Sequence, residues 1–184
     1  MRIFLAVFPP PAVQDQAFAV LSALRRPDDR VSWVKRENLH FTIRFLGEIG
    51  EDGLRRAREA AELAAAGHRA FEAVLGAVGA FPNARKARVL WLGLAHGAEA
   101  LKALARDVEL ELRRRGFDRA DRAFAAHLTI GRARDREQDW SQRLDVMAPA
   151  TARFLVDRVC VVESQLSPKG SIYTVRADPR LTTE

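Results

Sequence analysis

The chain carries one short pattern twice, as His40-Phe41-Thr42-Ile43 and as His127-Leu128-Thr129-Ile130. In a β-strand, the side chains at positions i and i+2 point to the same face. Each tetrad is therefore expected to place its histidine and threonine on one face of a strand and its two apolar residues in the core. Two such strands, each carrying an imidazole and a hydroxyl, are the halves from which we expect one active site to form.

The segments around the tetrads alternate between strand-like and helix-like patterns. We expect strands over residues 3–8, 31–46, 71–78, 88–94 and 124–131, helices from Pro10-Pro11 to about 24, over 51–66 and over 98–115, and a C-terminal hairpin. The hairpin is expected to join the apolar runs 154–162 and 172–175 through the turn Ser167-Pro168-Lys169-Gly170.

Neighbouring strands without a helix between them favour an α+β fold with a mostly antiparallel sheet over a doubly wound parallel one. The repeated tetrad predicts two similar, pseudo-symmetric lobes with helices on the outside and a central cleft. With 184 residues and no low-complexity linker, residues 1–184 are expected to form one bilobal domain.

Composition narrows the class of partner. A net charge of +6 and a sequence pI of about 10.4 favour polyanions as partners, although many arginines lie in helical stretches where a solvated face is the competing interpretation.

A single cysteine, Cys160, cannot form an internal disulfide and favours a reducing cytoplasm. The apolar run 3–8 is too short for a signal sequence, and no run approaches a membrane span, so we expect a cytoplasmic protein without membrane contact.

With its tetrads and their flanking blocks, the chain resembles the two-histidine phosphoesterase superfamily. Within it, the chain is most similar to the bacterial and archaeal RNA 2',3'-cyclic phosphodiesterases, also described as 2'-5' RNA ligases. The landmarks are residues 1–7, 33–47, 81–91, 127–132 and 164–167. Arg44 stands where the family commonly has lysine, which keeps the charge. The resemblance implies RNA ends or cyclic nucleotides as partners, with tRNA fragments as one candidate source, and a monomer is expected.

Hydrolysis of a cyclic phosphodiester needs a base for water, an acid for the departing ribose oxygen, and donors for the phosphoryl oxygens. Histidine suits both proton roles because its ordinary pKa lies near working pH, and Thr42 and Thr129 offer hydroxyl donors. The resemblance implies His40 as the proton donor and His127 as the acceptor; the residues alone leave that order open. Two alternatives remain. One is that the main role is 2'-5' RNA ligation or action on another cyclic or 2'-5' linked nucleotide, and the other is a non-catalytic module that binds RNA ends.

No cofactor or metal is expected, since the sequence lacks His-Glu-x-x-His, a cysteine pair and a Walker loop.

The candidate substrate-binding residues are Arg132, Arg134 and Arg44. Arg44 is a candidate on condition that its strand continues regularly past Thr42. The loop 83–88 is either a basic rim for RNA or an ordinary polar loop. For Phe45, Phe81 and Trp91, core packing is favoured over stacking on a base. His68 and His96 lack the pattern and are expected to be surface or capping residues.

Overall fold

The computed structural model describes residues 1–168 and 170–183. In chain order its strands and helices are β1 (Arg2–Val7), α1 (Pro11–Leu24), β2 (Val31–Trp33), β3 (Phe41–Glu48), α2 (Glu51–Ala66), β4 (Phe71–Phe81), β5 (Val89–His96), α3 (Ala98–Arg114), β6 (Leu128–Ala133), α4 (Ser141–Asp145), β7 (Arg153–Val156), β8 (Cys160–Ser167) and β9 (Gly170–Ala177). The predicted α+β class is confirmed.

One antiparallel sheet connects all nine of these strands. Its order is β7-β4-β5-β6-β3-β1-β8-β9, and β2 pairs with the free part of β6. The sheet has two halves, β7-β4-β5-β6 and β3-β1-β8-β9, which meet only where β3 pairs with β6. That junction has a single registered pair, Phe41 with Leu128. Because each tetrad contributes one member of the pair, the two predicted lobes join at the repeated pattern itself.

The helices begin and end where local chemistry favours it. Pro11 opens α1 at a position where its missing N–H costs nothing. Acidic Glu51 and Asp52 lie in the first turn of α2, where the helix dipole favours negative charge. Gly116 follows α3 with a φ of +79°, a left-handed conformation that favours glycine after a helix end.

The main apolar core lies between the helices and one face of the sheet. Helix α2 contributes a face of small residues, while α3 contributes larger ones that are buried at helical spacing: Leu101, Leu104, Val108 and Leu112. Phe41, Leu128 and Ile130 are fully buried on the sheet side of this core, and Ile43 is nearly so. We call this side of the sheet the helix face and the other side the open face.

Three predicted strands differ from the structure. Residues 31–46 form two strands separated by a 3₁₀ turn over Arg36–Asn38. In this turn Arg36 pairs with Asp15 of α1, and the Asn38 side chain donates to the carbonyl oxygen of Ser171. Residues 117–127 precede β6 without regular structure, and β6 starts only at Leu128. The run 154–162 is divided between β7 and β8, which pair with different strands.

The C-terminal hairpin is present, with β8 antiparallel to β9 up to the pair Ser167 and Gly170. Lys169, part of the predicted turn, lies outside the described residues. No helix within residues 1–168 and 170–183 is long and apolar enough to cross a membrane.

Candidate active site

The four polar side chains of the tetrads lie on the open face, at the junction of the two lobes. Phe41 and Leu128 are paired across β3 and β6, and both are fully buried on the helix face. Side chains alternate along a strand, so the residues on either side of this pair point the opposite way. His40 and Thr42 thus lie on the open face beside His127 and Thr129, although both histidines precede the first residue of their strand.

The two imidazoles are oriented in the same way by their own backbone. His40 Nδ1 lies 2.7 Å from the carbonyl oxygen of Asn38, and His127 Nδ1 lies 2.7 Å from that of Ala125. A carbonyl oxygen only accepts hydrogen bonds, so in each ring Nδ1 carries the hydrogen and donates it. In the neutral form, Nε2 is then the unprotonated nitrogen of each ring, available to accept a proton.

Thr42 is the immediate partner of that nitrogen in the first lobe. Its Oγ1 lies 2.9 Å from His40 Nε2, and with Nδ1 protonated the hydroxyl donates to Nε2. A phosphoryl oxygen placed between these groups would take over the donated hydrogen bond. The described contacts give Thr129 no equivalent bond to His127, so the two halves of the site differ.

The segment that holds His40 is fixed by side chains from distant parts of the sequence. Gln14, a buried polar residue of α1, donates through Nε2 to the carbonyl oxygen of Leu39 at 3.0 Å. The Asn38 side chain donates to the carbonyl oxygen of Ser171 on β9 at 2.9 Å. The carbonyl that accepts from His40 is therefore held between α1 and the C-terminal hairpin.

Aromatic rings surround His40. Its centroid lies 5.0 Å from that of Phe4, 5.2 Å from that of Phe8 and 5.5 Å from that of Tyr173. These three neighbours of His40 were not predicted from the sequence. Phe4 and Phe8 lie four residues apart on or next to β1, a spacing that gives a shared face in a strand, whereas no local signal places Tyr173 there.

The second histidine has a different aromatic neighbour. Phe81 packs edge-on against His127, with centroids 5.0 Å apart, and Trp91 lies 5.1 Å from Phe81. Gly79 is paired with Trp91, and a Cβ at position 79 would lie 2.4 Å from the indole ring. The absence of a side chain at Gly79 therefore lets the indole lie across β4, where it supports Phe81.

Burial lowers the pKa of both histidines. The pKa of His40 falls from 6.5 to about 4, first because its ring is removed from water, an effect that the carbonyl of Asn38 opposes, and then because Arg132 and His127 are nearby. Burial and then the charge of Arg132 also lower the pKa of His127 below its ordinary value. Both shifts favour the uncharged form of the ring at neutral pH.

Arg132 faces the histidines because β6 contains a bulge. Trp91 pairs with Thr129 but Leu90 pairs with Gly131, so Ile130 is an extra residue in the strand. This irregularity moves Gly131 to the helix face opposite buried Leu90 and returns the next side chain, that of Arg132, to the open face. The Arg132 guanidinium has no ion pair among the residues that the structure describes, and its charge acts on both imidazoles.

Arg44 does not share the face of Thr42, contrary to the expectation from a regular strand. Ala6 pairs with Thr42 and Leu5 with Arg44, so Ile43 is the extra residue of a second bulge. Since Leu5 is buried on the helix face, Arg44 is directed to that face as well.

There the Arg44 guanidinium is bound by acceptors outside the tetrads. Its Nε lies 2.8 Å from a carboxylate oxygen of Glu109 on α3, and it also donates to the carbonyl oxygens of Phe45 and Asp118. Arg44 lines a cavity of about 720 Å³ between β3, α3 and residues 119–124, and neither tetrad histidine lines it. This placement indicates a structural role for Arg44.

The described contacts of the other candidates from the sequence are with residues outside the tetrads. Arg134 is exposed just after β6, and its backbone N–H donates to the carbonyl oxygen of Arg30. In the loop 83–88, the Asn83 side chain caps a 3₁₀ turn over Ala84–Lys86, and Arg88 pairs with Glu137 at 3.1 Å.

The two remaining histidines take no part in the junction. His68 bonds to Asp107 of α3 at 2.8 Å, and His96 is exposed at the end of β5. Within residues 1–168 and 170–183, no three or more histidine, cysteine, aspartate or glutamate side chains are grouped so as to hold a metal ion.

Comparison with known families gives one match that covers most of the chain. The model of the 2'-5' RNA ligase superfamily matches residues 9–167. A protein of Methanothermobacter thermautotrophicus named RNA 2',3'-cyclic phosphodiesterase is 34% identical over 177 residues, which are 95% of each chain. A protein of the same name from Thermotoga maritima is 30% identical over 95% of this chain and 92% of its own.

Solved structures agree with this fold. The crystal structure of TT0787 of Thermus thermophilus superposes over the whole of both chains with a TM-score of 0.84 at 27% identity. The structure of E. coli LigT complexed with 3'-AMP superposes over 99% of this chain and 98% of its own with a TM-score of 0.80. Its identity of 23% makes it a likeness of fold.

Proposed function

The chain belongs to the 2'-5' RNA ligase superfamily, and from this premise we propose that it hydrolyses RNA 2',3'-cyclic phosphate ends to 2'-phosphomonoesters. The relatives named RNA 2',3'-cyclic phosphodiesterase support the activity. The observation that carries the proposal is the register pair of Phe41 and Leu128, which brings an imidazole and a hydroxyl from each lobe to one face. The mechanism we propose uses these side chains and no metal ion.

In the proposed reaction, the oxygen of water bonds to phosphorus while the bond from phosphorus to the ribose 3' oxygen breaks. One imidazole accepts a proton from water through Nε2, and the other donates a proton to the departing oxygen. We assign donation to His40 and acceptance to His127, as the family resemblance implies. Attack and departure occur on opposite sides of phosphorus, which suits two imidazoles supplied by opposite lobes.

Thr42, Thr129 and Arg132 are the groups we assign to the non-bridging oxygens. A hydroxyl that already donates to His40 Nε2 can be redirected to a phosphoryl oxygen. The guanidinium of Arg132 supplies positive charge that a phosphate anion would neutralise. Preorganised donors of this kind typically lower a barrier by several kcal/mol.

A lowered histidine pKa suits the general base in the free enzyme. It suits the general acid only after substrate has bound. A neutral imidazole is ready to accept a proton from water. For donation, the bound phosphate anion must raise the pKa of the acid, both by its own charge and by offsetting the charge of Arg132. We therefore expect the site to take up a proton when it binds phosphate.

The test is hydrolysis of 2',3'-cyclic AMP by the purified protein in excess EDTA. We expect His40→Ala and His127→Ala each to lower the rate by roughly 100-fold or more, the scale of general acid or base catalysis. The matched control is His96→Ala, an exposed histidine outside the site, which should retain the wild-type rate. Full activity in both site variants, or activity only with added metal, would contradict the proposed mechanism.

Product analysis separates the remaining alternatives. Phosphorus NMR distinguishes a 2' ester from a 3' ester, and we expect the 2' ester. Incubation of a cyclic-phosphate RNA with a second RNA that has a free 5' hydroxyl tests for 2'-5' ligation. If the protein binds the cyclic phosphate end but catalyses neither hydrolysis nor ligation, it is an RNA-end-binding module instead.

A further inference from the structure

Phe45 is an aromatic side chain that packing does not explain. It is 46% exposed and belongs to neither of the buried apolar clusters among the described residues. Its register partner is Phe4, whose ring lies 5.0 Å from that of His40. Paired residues of neighbouring strands point to the same face, so Phe45 lies on the open face with the catalytic candidates.

A cation lies over this exposed ring. The guanidinium carbon of Arg2 is 5.1 Å from the centroid of Phe45, within the range of a cation–π contact. Arg2 has no ion pair within the described chain, and Glu48, opposite it in register, instead lies 3.3 Å from the terminal amino group of Met1. Ring and cation therefore form an exposed, positively charged surface on the open face.

This surface continues to the reaction site. The ring centroid of Tyr173 lies 5.0 Å from that of Phe4 and 5.5 Å from that of His40. Burial raises the pKa of Tyr173, and the charges of Arg132 and Arg2 oppose that rise, which places Tyr173 within the field of both arginines. Phe45 is three residues beyond Thr42, so the platform lies roughly 10 Å along β3 from the site.

The two lobes carry different residues at one equivalent position of the open face. In each lobe the residue three positions after the tetrad threonine returns to the open face, and it is Phe45 in the first lobe and Arg132 in the second. One side of the junction thus offers a ring for stacking, and the other offers a cation. This arrangement suits a ligand with a base on one side and a phosphate on the other.

We infer that Arg2 and Phe45 form a stacking platform for a nucleotide that precedes the cyclic phosphate in a single-stranded RNA. This inference rests on the proposed function. A base has a flat face for the ring, and the adjoining phosphate attracts the guanidinium, whereas an uncharged apolar partner would leave the cation unused. The platform makes the enzyme prefer an RNA chain over a cyclic mononucleotide.

The experiment compares two substrates, 2',3'-cyclic AMP and a six-nucleotide oligoadenylate that ends in a 2',3'-cyclic phosphate. In Phe45→Ala we expect KM for the oligonucleotide to rise roughly tenfold, the scale of one lost base stack, while kinetics on the mononucleotide stay unchanged. Phe45→Leu keeps an apolar side chain without a ring and should show a similar loss. The matched control is Leu63→Ala, since Leu63 is 55% exposed on α2, away from the open face.

Unchanged mononucleotide kinetics also show that the variant is folded. An equal loss on both substrates, or no loss on either, would overturn the inference. Binding of a fluorescent six-nucleotide RNA with a 3' phosphate separates this inference from the proposed function, because it needs no turnover. If the wild type hydrolyses neither substrate, the proposed function fails, and the platform still predicts roughly tenfold weaker binding in Phe45→Ala.

Discussion

Because the fold lowers the pKa of His40, the folded protein should be less stable in mildly acidic solution than at neutral pH. Its ordinary pKa of 6.5 applies to the unfolded chain, whereas burial lowers the pKa to about 4 in the fold. Between these values the unfolded chain binds a proton that the folded chain does not, so stability is present above pH 6.5 and is lost as the pH falls towards 4. The full difference corresponds to about 3 kcal/mol, of which roughly 2 kcal/mol is lost by pH 5.

Urea unfolding between pH 4.5 and 8 measures this loss. His40→Asn removes the titrating group. Between pH 8 and pH 5 the unfolding free energy of this variant should therefore fall by about 2 kcal/mol less than that of the wild type. His96→Asn, a change at an exposed histidine, serves as the control and should follow the wild type. If the His40→Asn and wild-type curves run parallel, His40 titrates near its ordinary pKa and the assignment of a partly buried, neutral ring is incorrect.

Two further predictions concern the surroundings of the histidines. Arg132→Gln removes a charge that adds to the effect of burial on both imidazoles, so the pKa values rise and the bell-shaped pH profile of kcat/KM should move to higher pH. Arg132→Lys keeps the charge and should keep the wild-type pH profile. If the pH profile of Arg132→Gln equals that of the wild type, the charge of Arg132 does not act on the histidines. Gly79→Ala places a Cβ 2.4 Å from the indole of Trp91 and should lower the unfolding free energy by about 1–3 kcal/mol. Gly50→Ala is its control in urea unfolding, since nothing lies within 4 Å of that added Cβ, and equal stability of the two variants would contradict the close packing.

Alternation along a strand was enough to divide each tetrad between site and core. Phe41 and Leu128 are buried as predicted, and the four polar side chains lie on the other face. The same rule failed two residues later, because it assumes a regular strand. The bulge at Ile43 sends Arg44 to the helix face, and the matching bulge at Ile130 brings Arg132 to the open face. A bulge depends on the partner strand, so no local pattern in the sequence reveals it.

The surroundings of His40 depend on contacts between distant parts of the sequence. Tyr173 reaches the ring only because β9 follows β8 beside β1, and Gln14 reaches the 3₁₀ turn from α1. Both residues lie in segments whose strand or helix was predicted, yet their pairing partners were not. The sequence therefore predicted which side chains of the two tetrads share a face, whereas the residues that orient and desolvate them required the fold.

We propose that the two tetrads form one site in which both histidines act together. The most direct measurement is the rate of 2',3'-cyclic phosphate hydrolysis in EDTA for His40→Ala, His127→Ala and the double variant. Residues that act as a unit are not additive, so we expect the double variant to be about as slow as the slower single variant. Losses that multiply in the double variant, or a single variant with the wild-type rate, would contradict a shared site.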